Sequence, residues 1–201
     1  MLDYLPIVVP DGMQDHWRIE TFTLSNAESE ATGLRAIFKG DDYFIPPGTY
    51  KRLMRDNVVV MSNTPMEVRT NREFITQANG KVLINGLGLG MVLAEILKKP
   101  DVQSVTVIEA SVEVIALVAP AFQSDPRVQI IHANAFEWQP AKDERFDVVW
   151  HDIWDCICAE NVAEMRTLES KYIGRAWWQA SWCREECEKK LSRLEMYLRC
   201  S

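Results

Sequence analysis

The chain has 201 residues, with 29 acidic and 22 basic side chains and a formal net charge of −7. This length allows one domain with a full core and is too short for two. The acidic balance argues against a broad nucleic-acid-binding face, which needs clustered lysine and arginine. No stretch approaches the roughly 20 apolar residues of a membrane helix, and the first residues lack the basic start and apolar run of a signal peptide. We therefore expect a cytoplasmic protein whose partners include neither nucleic acid nor membrane.

The five cysteines all lie after residue 155, and their odd number is a poor basis for a disulfide framework. Their spacings, C-x-C at 156–158 and C-x-x-x-C at 183–187, differ from the usual zinc knuckles. Cys183 and Cys187 also stand at the i,i+4 spacing of one helix face. We expect free thiols that pack as core material and no bound metal.

The first 80 residues combine short β-prone runs with turn signals such as Pro46 and Pro47. The β-prone runs are residues 19–24, 34–38, 43–45 and 58–61. Residues 67–78 are predicted to form a helix. The sequence therefore predicts a small β-rich N-terminal region over residues 1–66 and a second unit over residues 67–201.

From residue 81 the pattern changes to strands that alternate with helices. Strands are predicted at residues 81–85, 104–109, 128–132 and 146–150, with a fifth inside 175–182. Helices are predicted at residues 90–99, 112–122, 159–172 and 184–199. This alternation implies an α/β fold, a Rossmann-like, mainly parallel sheet with flanking helices, whose ligand lies at the carboxyl edge of the strands. An exposed sheet edge and many tryptophans favour a homodimer.

A glycine-rich segment follows the first of these strands and opens into a helix: residues 82–90 read VLINGLGLG. Glycines let the backbone turn sharply and approach a ligand, and the start of the helix supplies unpaired N–H groups. Glu109 ends the next strand, near the offset of roughly 20 residues expected for an acid that binds a ribose. The dinucleotide fingerprint expects glycine or alanine where this chain has Met91, which disfavours a dinucleotide cofactor.

The glycine spacing resembles motif I of class I S-adenosylmethionine-dependent methyltransferases. Later segments are similar to further motifs of that family, DPRV at 125–128 with HANAF at 132–136, and FDVVWHD at 146–152. The resemblance implies S-adenosylmethionine as the cofactor, with the base beside residues 134 and 135 and the reacting end beside residue 152. The implied cofactor-binding residues are Asn85, Gly86, Gly88, Gly90, Glu109, Ala110, Asn134, Ala135 and Asp152.

Two amides depart from the pattern of that family. Asn85 and Asn134 stand where acids are usual. An amide still accepts a hydrogen bond through its carbonyl oxygen, whereas its attraction for the amino group and the sulfonium of the cofactor is weaker. A non-catalytic binding protein with this fold therefore remains an alternative.

The β-rich start, DPRV and the quartet at 152–155 (DIWD) are similar to the spermidine synthase group, in which a D-x-x-D handles the amine nucleophile. Methyl transfer mainly requires alignment of the nucleophile, and a base helps where the nucleophile carries a proton. Asp152 is the first catalytic candidate, as a general base or an amine-orienting carboxylate, followed by Asp155 and His151. We expect methyl transfer to a small-molecule or protein acceptor, with aminopropyl transfer as the alternative.

Overall fold

The computed structural model describes residue 5 and residues 7–39 and 44–200. The strands are β1 Gly12–Gln14, β2 Trp17–Leu24, β3 Gly48–Arg55, β4 Val58–Ser62, β5 Gly80–Asn85, β6 Val102–Glu109, β7 Val128–His132, β8 Phe146–His151 and β9 Ala176–Ser181. The helices are α1 Asn26–Lys39, α2 Pro65–Thr70, α3 Arg72–Gln77, α4 Met91–Ile96, α5 Val112–Val118, α6 Asn161–Lys171 and α7 Arg184–Cys200, with a 3-10 turn at Ala119–Ala121. Over these residues the strands form an antiparallel sheet, β1-β2-β3-β4, and a parallel sheet, β7-β6-β5-β8-β9.

The parallel sheet is built around β5 and β8, whose residues are nearly all buried. Such continuous burial is expected for parallel strands with helices on both faces. Val82 and Ile84 belong to the same core as residues of α4 and α5, whereas Leu83 packs in the core that α6 completes. The strand order reverses between β5 and β8, and this reversal opens a crevice at their carboxyl ends.

The predicted α/β class is confirmed, and each predicted strand of the parallel sheet is present. The segment at 175–182 does contain a strand, β9, which pairs in parallel with β8. The predicted helix at 90–99 is shorter in the structure, and the one at 112–122 ends in the 3-10 turn that contains Pro120. No helix in the described part of the chain is long and apolar enough to cross a membrane.

One strand predicted in the N-terminal region, at residues 34–38, is wrong. Residues 34–38 lie in α1, because Ser25 and Glu28 form a capping box that starts a helix. The Ser25 backbone N–H donates to Glu28 Oε2 at 2.8 Å, and the Glu28 N–H donates to Ser25 Oγ at 3.3 Å. Of the run at 43–45, Tyr43 lies outside the described residues, and residues 44 and 45 are not in a strand. The long strand β3 and the short strand β1 were not predicted.

The helix predicted at 67–78 is two short helices, α2 and α3, that meet at Asn71. The buried Asn71 amide donates to the Glu67 carbonyl at 2.9 Å, which satisfies a backbone acceptor where α2 ends. The boundary proposed between residues 66 and 67 falls inside α2 and stays a prediction.

The N-terminal sheet lies against α5, which contacts both β1 and β2. Ile19 and Leu53 from this sheet share a core with Val114 and Val118 of α5. The antiparallel sheet therefore stands beside the carboxyl edge of the parallel sheet and forms a second wall above the crevice.

Candidate active site

A cavity of about 530 Å³ lies between the two walls, within the usual size of small-molecule sites. Most of the site residues predicted from the sequence line it, namely Gly86, Gly88, Glu109, Ala110, Asn134, Ala135, Asp152 and Asp155. The N-terminal wall adds residues that the sequence did not indicate, among them Trp17, Leu53, Arg55 and Met61. The cavity thus joins motif residues on one side to residues without a motif on the other.

The glycine loop after β5 has left-handed backbone at Gly86 and Gly88, with φ of +102° and +50°. A Cβ on Gly86 would overlap the carbonyl oxygen of Asp152, and one on Gly88 would overlap the Met61 sulfur. Met61 Sδ also accepts the Leu89 N–H at 3.1 Å. Both positions therefore require glycine, and Met61 connects the N-terminal sheet directly to the loop.

Gly90, the last glycine of the loop, begins α4 with φ of +66°. Gly90 faces the ring of Phe122 and not the cavity, and a Cβ at this position would overlap that ring. Gly90 thus shapes the start of the helix and allows it to pack closely.

Glu109, at the end of β6, is held by backbone donors on both sides. Its Oε2 accepts the Leu87 N–H and its Oε1 accepts the Ser111 N–H, each at 2.8 Å. Each carboxylate oxygen can accept a second hydrogen bond. The carboxylate is therefore fixed at the cavity wall with capacity left for two hydroxyl donors.

The turn after β7 carries Asn134 at the cavity wall. Asn134 Oδ1 accepts the Phe136 N–H at 2.9 Å, and its backbone carbonyl accepts the Trp138 N–H at 2.8 Å. The Lys171 ammonium of α6 donates to the carbonyls of Ala135 at 2.8 Å, Phe136 at 3.3 Å and Trp138. These bonds fix both the backbone of the turn and the orientation of the Asn134 amide.

Two carboxyl groups with raised pKa values line the cavity. Burial raises the pKa of Asp152, in the loop after β8, to about 7. Glu67 of α2 is 8% exposed, and burial together with the charge of Asp152 raises its pKa to about 8. A carboxyl with a pKa near 7 is suited to accept a proton at neutral pH. No sequence signal marked Glu67, a single acid in a short helix.

Asp155 lines the cavity but is paired with a residue of the N-terminal sheet. Its Oδ2 accepts a hydrogen bond from the Arg55 guanidinium at 2.5 Å, and this guanidinium lies 5.4 Å from the ring centre of Trp17. Asp155 thus links the two walls, and its charge is balanced by Arg55.

His151 lies in the core beneath the glycine loop, fully buried and outside the cavity lining. Its Nδ1 is 2.8 Å from Asn85 Nδ2, which can only donate, so Nδ1 accepts and the ring proton lies on Nε2, 3.4 Å from Gln179 Oε1. Burial lowers the pKa of His151 to about 4. This placement does not support the prediction that His151 touches a substrate, because its ring is committed to the side chains that support the loop. The Asn85 side chain likewise supports the loop from below, and the Asn85 backbone carbonyl accepts the Asp152 N–H at 2.8 Å.

The cysteines after β8 lie close together, with Cys156 Sγ 3.6 Å from Cys158 Sγ. Cys156, Cys158, Cys183 and Cys187 are free thiols. Within the described ranges, no group of three or more histidine, cysteine, aspartate and glutamate side chains is arranged to hold a metal ion.

No family model matches the chain. Over an alignment of 85 residues, the chain is 35% identical to polyamine aminopropyltransferase 2 of Ralstonia nicotianae and equally to polyamine aminopropyltransferase 1 of that organism. Each match covers 37% of this chain but only 16% of the relative, so the matched part spans about one sixth of those proteins. This local likeness confirms the resemblance to the spermidine synthase group that the motifs predicted.

Two solved structures resemble the chain at lower sequence identity. Spermidine synthase from Thermotoga maritima has a TM-score of 0.44 and 20% identity, over 83% of this chain and 53% of that one. An N-methyltransferase from Bradyrhizobium japonicum has a TM-score of 0.41 and 17% identity, over 54% of this chain and 63% of that one. At these values the likenesses assign no function.

Proposed function

We propose that this chain binds S-adenosylmethionine and transfers its methyl group to an acceptor held against Asp152. The observation that carries the proposal is the order of side chains along the cavity. The neighbouring strands β7, β6, β5 and β8 present Asn134, Glu109, the glycine loop and Asp152 in turn. This order matches a ligand that consists of a base, a ribose and an amino-acid chain with a reactive end.

The residues present fit such a cofactor. Glu109 has one free acceptor site on each oxygen for the two ribose hydroxyls. Gly86 and Gly88 line the cavity, and without side chains they let a ligand approach the backbone of the loop closely. Ala135 and Phe136 offer apolar surface to a flat base.

S-adenosylmethionine supplies a methyl carbon that is activated by the positive sulfonium. When bound, it would donate this methyl carbon to the nucleophile of the acceptor, and the electron pair of the broken carbon–sulfur bond would stay on sulfur. Asp152 orients the nucleophile and takes its proton, which a pKa of about 7 allows near neutral pH. The two walls hold the reactants in line, and this alignment supplies much of the rate.

Aminopropyl transfer is the second candidate, favoured by the 85-residue likeness to polyamine aminopropyltransferases and by the D-x-x-D quartet. In this reaction the donor would be decarboxylated S-adenosylmethionine, and the bond from sulfur to its aminopropyl carbon would break instead. The ion pair between Arg55 and Asp155 argues against aminopropyl transfer, because Asp155 is the second acid of the quartet and is already bound to Arg55. A non-catalytic binding protein is the third alternative, since both amides occupy positions where acids are usual.

The products of the reaction separate these candidates. The chain would be incubated with S-adenosylmethionine, or with its decarboxylated form, and a panel of primary amines, phenols and peptides, with Asp152→Asn as the inactive control. Methyl transfer yields S-adenosylhomocysteine, and aminopropyl transfer yields methylthioadenosine. Calorimetry that detects no binding of S-adenosylmethionine, its decarboxylated form or S-adenosylhomocysteine would overturn both enzymatic proposals.

A further inference from the structure

The loop between β8 and α6 carries two thiols that the proposed reaction does not use. The first part of this loop lines the cavity through Trp154 and Asp155. Cys156 and Cys158 follow directly, the first exposed and the second half-buried. The prediction that the cysteines pack as core material is therefore wrong for Cys156.

One buried side chain at the start of α6, that of Asn161, holds both cysteines. Its Nδ2 donates to the Cys156 carbonyl at 2.6 Å, and its Oδ1 accepts the Cys158 thiol proton at 3.0 Å. The Cys156 thiol in turn donates to the Cys158 sulfur at 3.6 Å. The two sulfur atoms are therefore in contact, and the Cys158 proton ties the loop to the helix.

This contact brings the two sulfur atoms close to bonding distance. A disulfide bond is about 2.05 Å long, so the sulfur atoms need to approach each other by about 1.5 Å. Cys156 is the thiol that an external reagent reaches first, because it is exposed. Burial raises the pKa of the Cys158 thiol, which therefore reacts less readily with such a reagent.

We propose that Cys156 and Cys158 form a thiol switch that a small-molecule disulfide closes, and that this closure releases the loop from α6. The Cys156 thiolate attacks one sulfur of a disulfide such as oxidised glutathione and displaces one thiol. The Cys158 thiolate then attacks the Cys156 sulfur and displaces the second thiol. The small molecule is reduced to two thiols, which take up the two cysteine protons, and the cysteine pair is oxidised to one disulfide.

Closure acts on the loop through Asn161. The oxidised Cys158 sulfur has no proton, so Asn161 Oδ1 loses its donor. A buried acceptor without a partner destabilises the arrangement around it. Trp154 and Asp155 belong to the same loop, and closure therefore changes the wall of the cavity. A disulfide that is exposed and closes so short a ring is readily reduced again, which makes the switch reversible.

Reaction of the reduced protein with oxidised glutathione, followed by mass spectrometry and peptide mapping, tests the order of the two steps. Wild type should lose two hydrogens and gain a bond between Cys156 and Cys158. Cys158→Ser should keep glutathione on Cys156, because no second thiol displaces it. Cys156→Ser should react at this loop at least ~10-fold more slowly. Cys183→Ser removes a buried thiol and should behave as wild type.

Amide hydrogen exchange tests the effect on the loop. The first turn of α6 should exchange at least ~10-fold faster in the oxidised wild type and return to its original rate after reduction. Cys156→Ser keeps the backbone carbonyl that Asn161 binds, and its exchange should not change over the same reaction time.

Three results would overturn the inference: glutathione that stays on Cys156 in wild type, a bond between Cys158 and Cys187 instead, or unchanged exchange after oxidation. None of these measurements requires a cofactor. Failure of the proposed function would therefore leave the thiol switch standing, and failure of the switch would leave the proposed function standing.

Discussion

The two walls of the cavity differ in how they present chemistry. The parallel sheet contributes loops at strand ends, where glycine backbone, the fixed Glu109 and the Asn134 turn occupy set positions. The antiparallel sheet contributes side chains that stand on strands, such as Leu53 and Met61. A loop whose shape depends on special backbone angles requires particular residues, such as glycine, and these form a recognisable motif in the sequence. Side chains that pack on strands form no such motif. The comparison assigns the proposed cofactor to the first wall and suggests that the second wall selects the acceptor.

The largest effect is expected when the proposed general base is removed from the parallel-sheet side of the cavity. Asp152→Asn should lower kcat by ~10²–10⁴, the usual contribution of a general base, because the amide takes no proton. Binding of S-adenosylhomocysteine should change by less than about threefold, since Gly86 and Glu109 are intact. In the wild type, kcat/KM should rise with pH and level off above about 7, as Asp152 loses its proton.

Asp143→Asn, on an exposed turn, provides the control and should behave as wild type. If Asp152→Asn kept a third or more of the wild-type kcat, Asp152 would not be the base.

The next largest effect is expected for Glu109→Ala, on the parallel-sheet wall where the cofactor is proposed to bind. Hydrogen bonds to a charged group are worth about 1.5–3 kcal/mol each, so the loss of two ribose bonds should weaken binding of S-adenosylhomocysteine at least ~100-fold. Calorimetry measures the affinity, and a thermal melt reports whether the loop survives without the bonds to Leu87 and Ser111. Glu73→Ala, on the exposed face of α3, is the control. Unchanged affinity in a folded Glu109→Ala would place the ribose elsewhere.

The parallel wall could be predicted from the sequence because its signals are local. The buried runs of β5 and β8 have no polar alternation, and the glycine spacing marks positive φ. The N-terminal region could not be predicted as well, since a short apolar run such as 34–38 fits a strand or a helix equally. There the Ser25 cap decides in favour of α1.

Site residues divide in the same way. The roles of Glu67 and Met61 depend on contacts with segments far away in the chain, at Asp152 and at the glycine loop. His151 shows the converse case. It stands directly beside Asp152 in sequence, but successive strand residues point to opposite faces, and its ring is in the core. A motif predicts proximity along the chain and not the direction of a side chain.

Glu67 sharpens the comparison, because it is an ionisable group in the cavity that comes from outside the motifs. Its folded-state pKa of about 8 lies above the ordinary value of 4.5, so the folded protein holds a proton that the unfolded chain releases. The free energy of unfolding should therefore fall as pH rises from about 4.5 to about 8. Glu67→Gln removes this titration, so its stability relative to wild type should rise over that range by at least ~1.4 kcal/mol.

Urea unfolding at pH 5 and pH 8 measures this difference. Glu73→Gln, on the same stretch of chain but exposed, should show the same stability relative to wild type at both pH values. A Glu67→Gln variant whose stability relative to wild type does not change with pH would mean that Glu67 is ionised in the folded protein.

The smallest effect is expected at the ion pair that joins the two walls. The side chains of Arg55 and Asp155 are 49% and 35% exposed, so water screens their attraction. A double-mutant cycle with Arg55→Met and Asp155→Asn should give a coupling energy below ~1 kcal/mol in urea unfolding, because the cycle cancels the contact of Arg55 with Trp17. A coupling above about 2 kcal/mol would show that the walls are joined electrostatically. A small coupling energy would mean that apolar packing of Ile19 and Leu53 against α5 holds the antiparallel sheet in place. Asp155 could then be replaced without loss of the cavity.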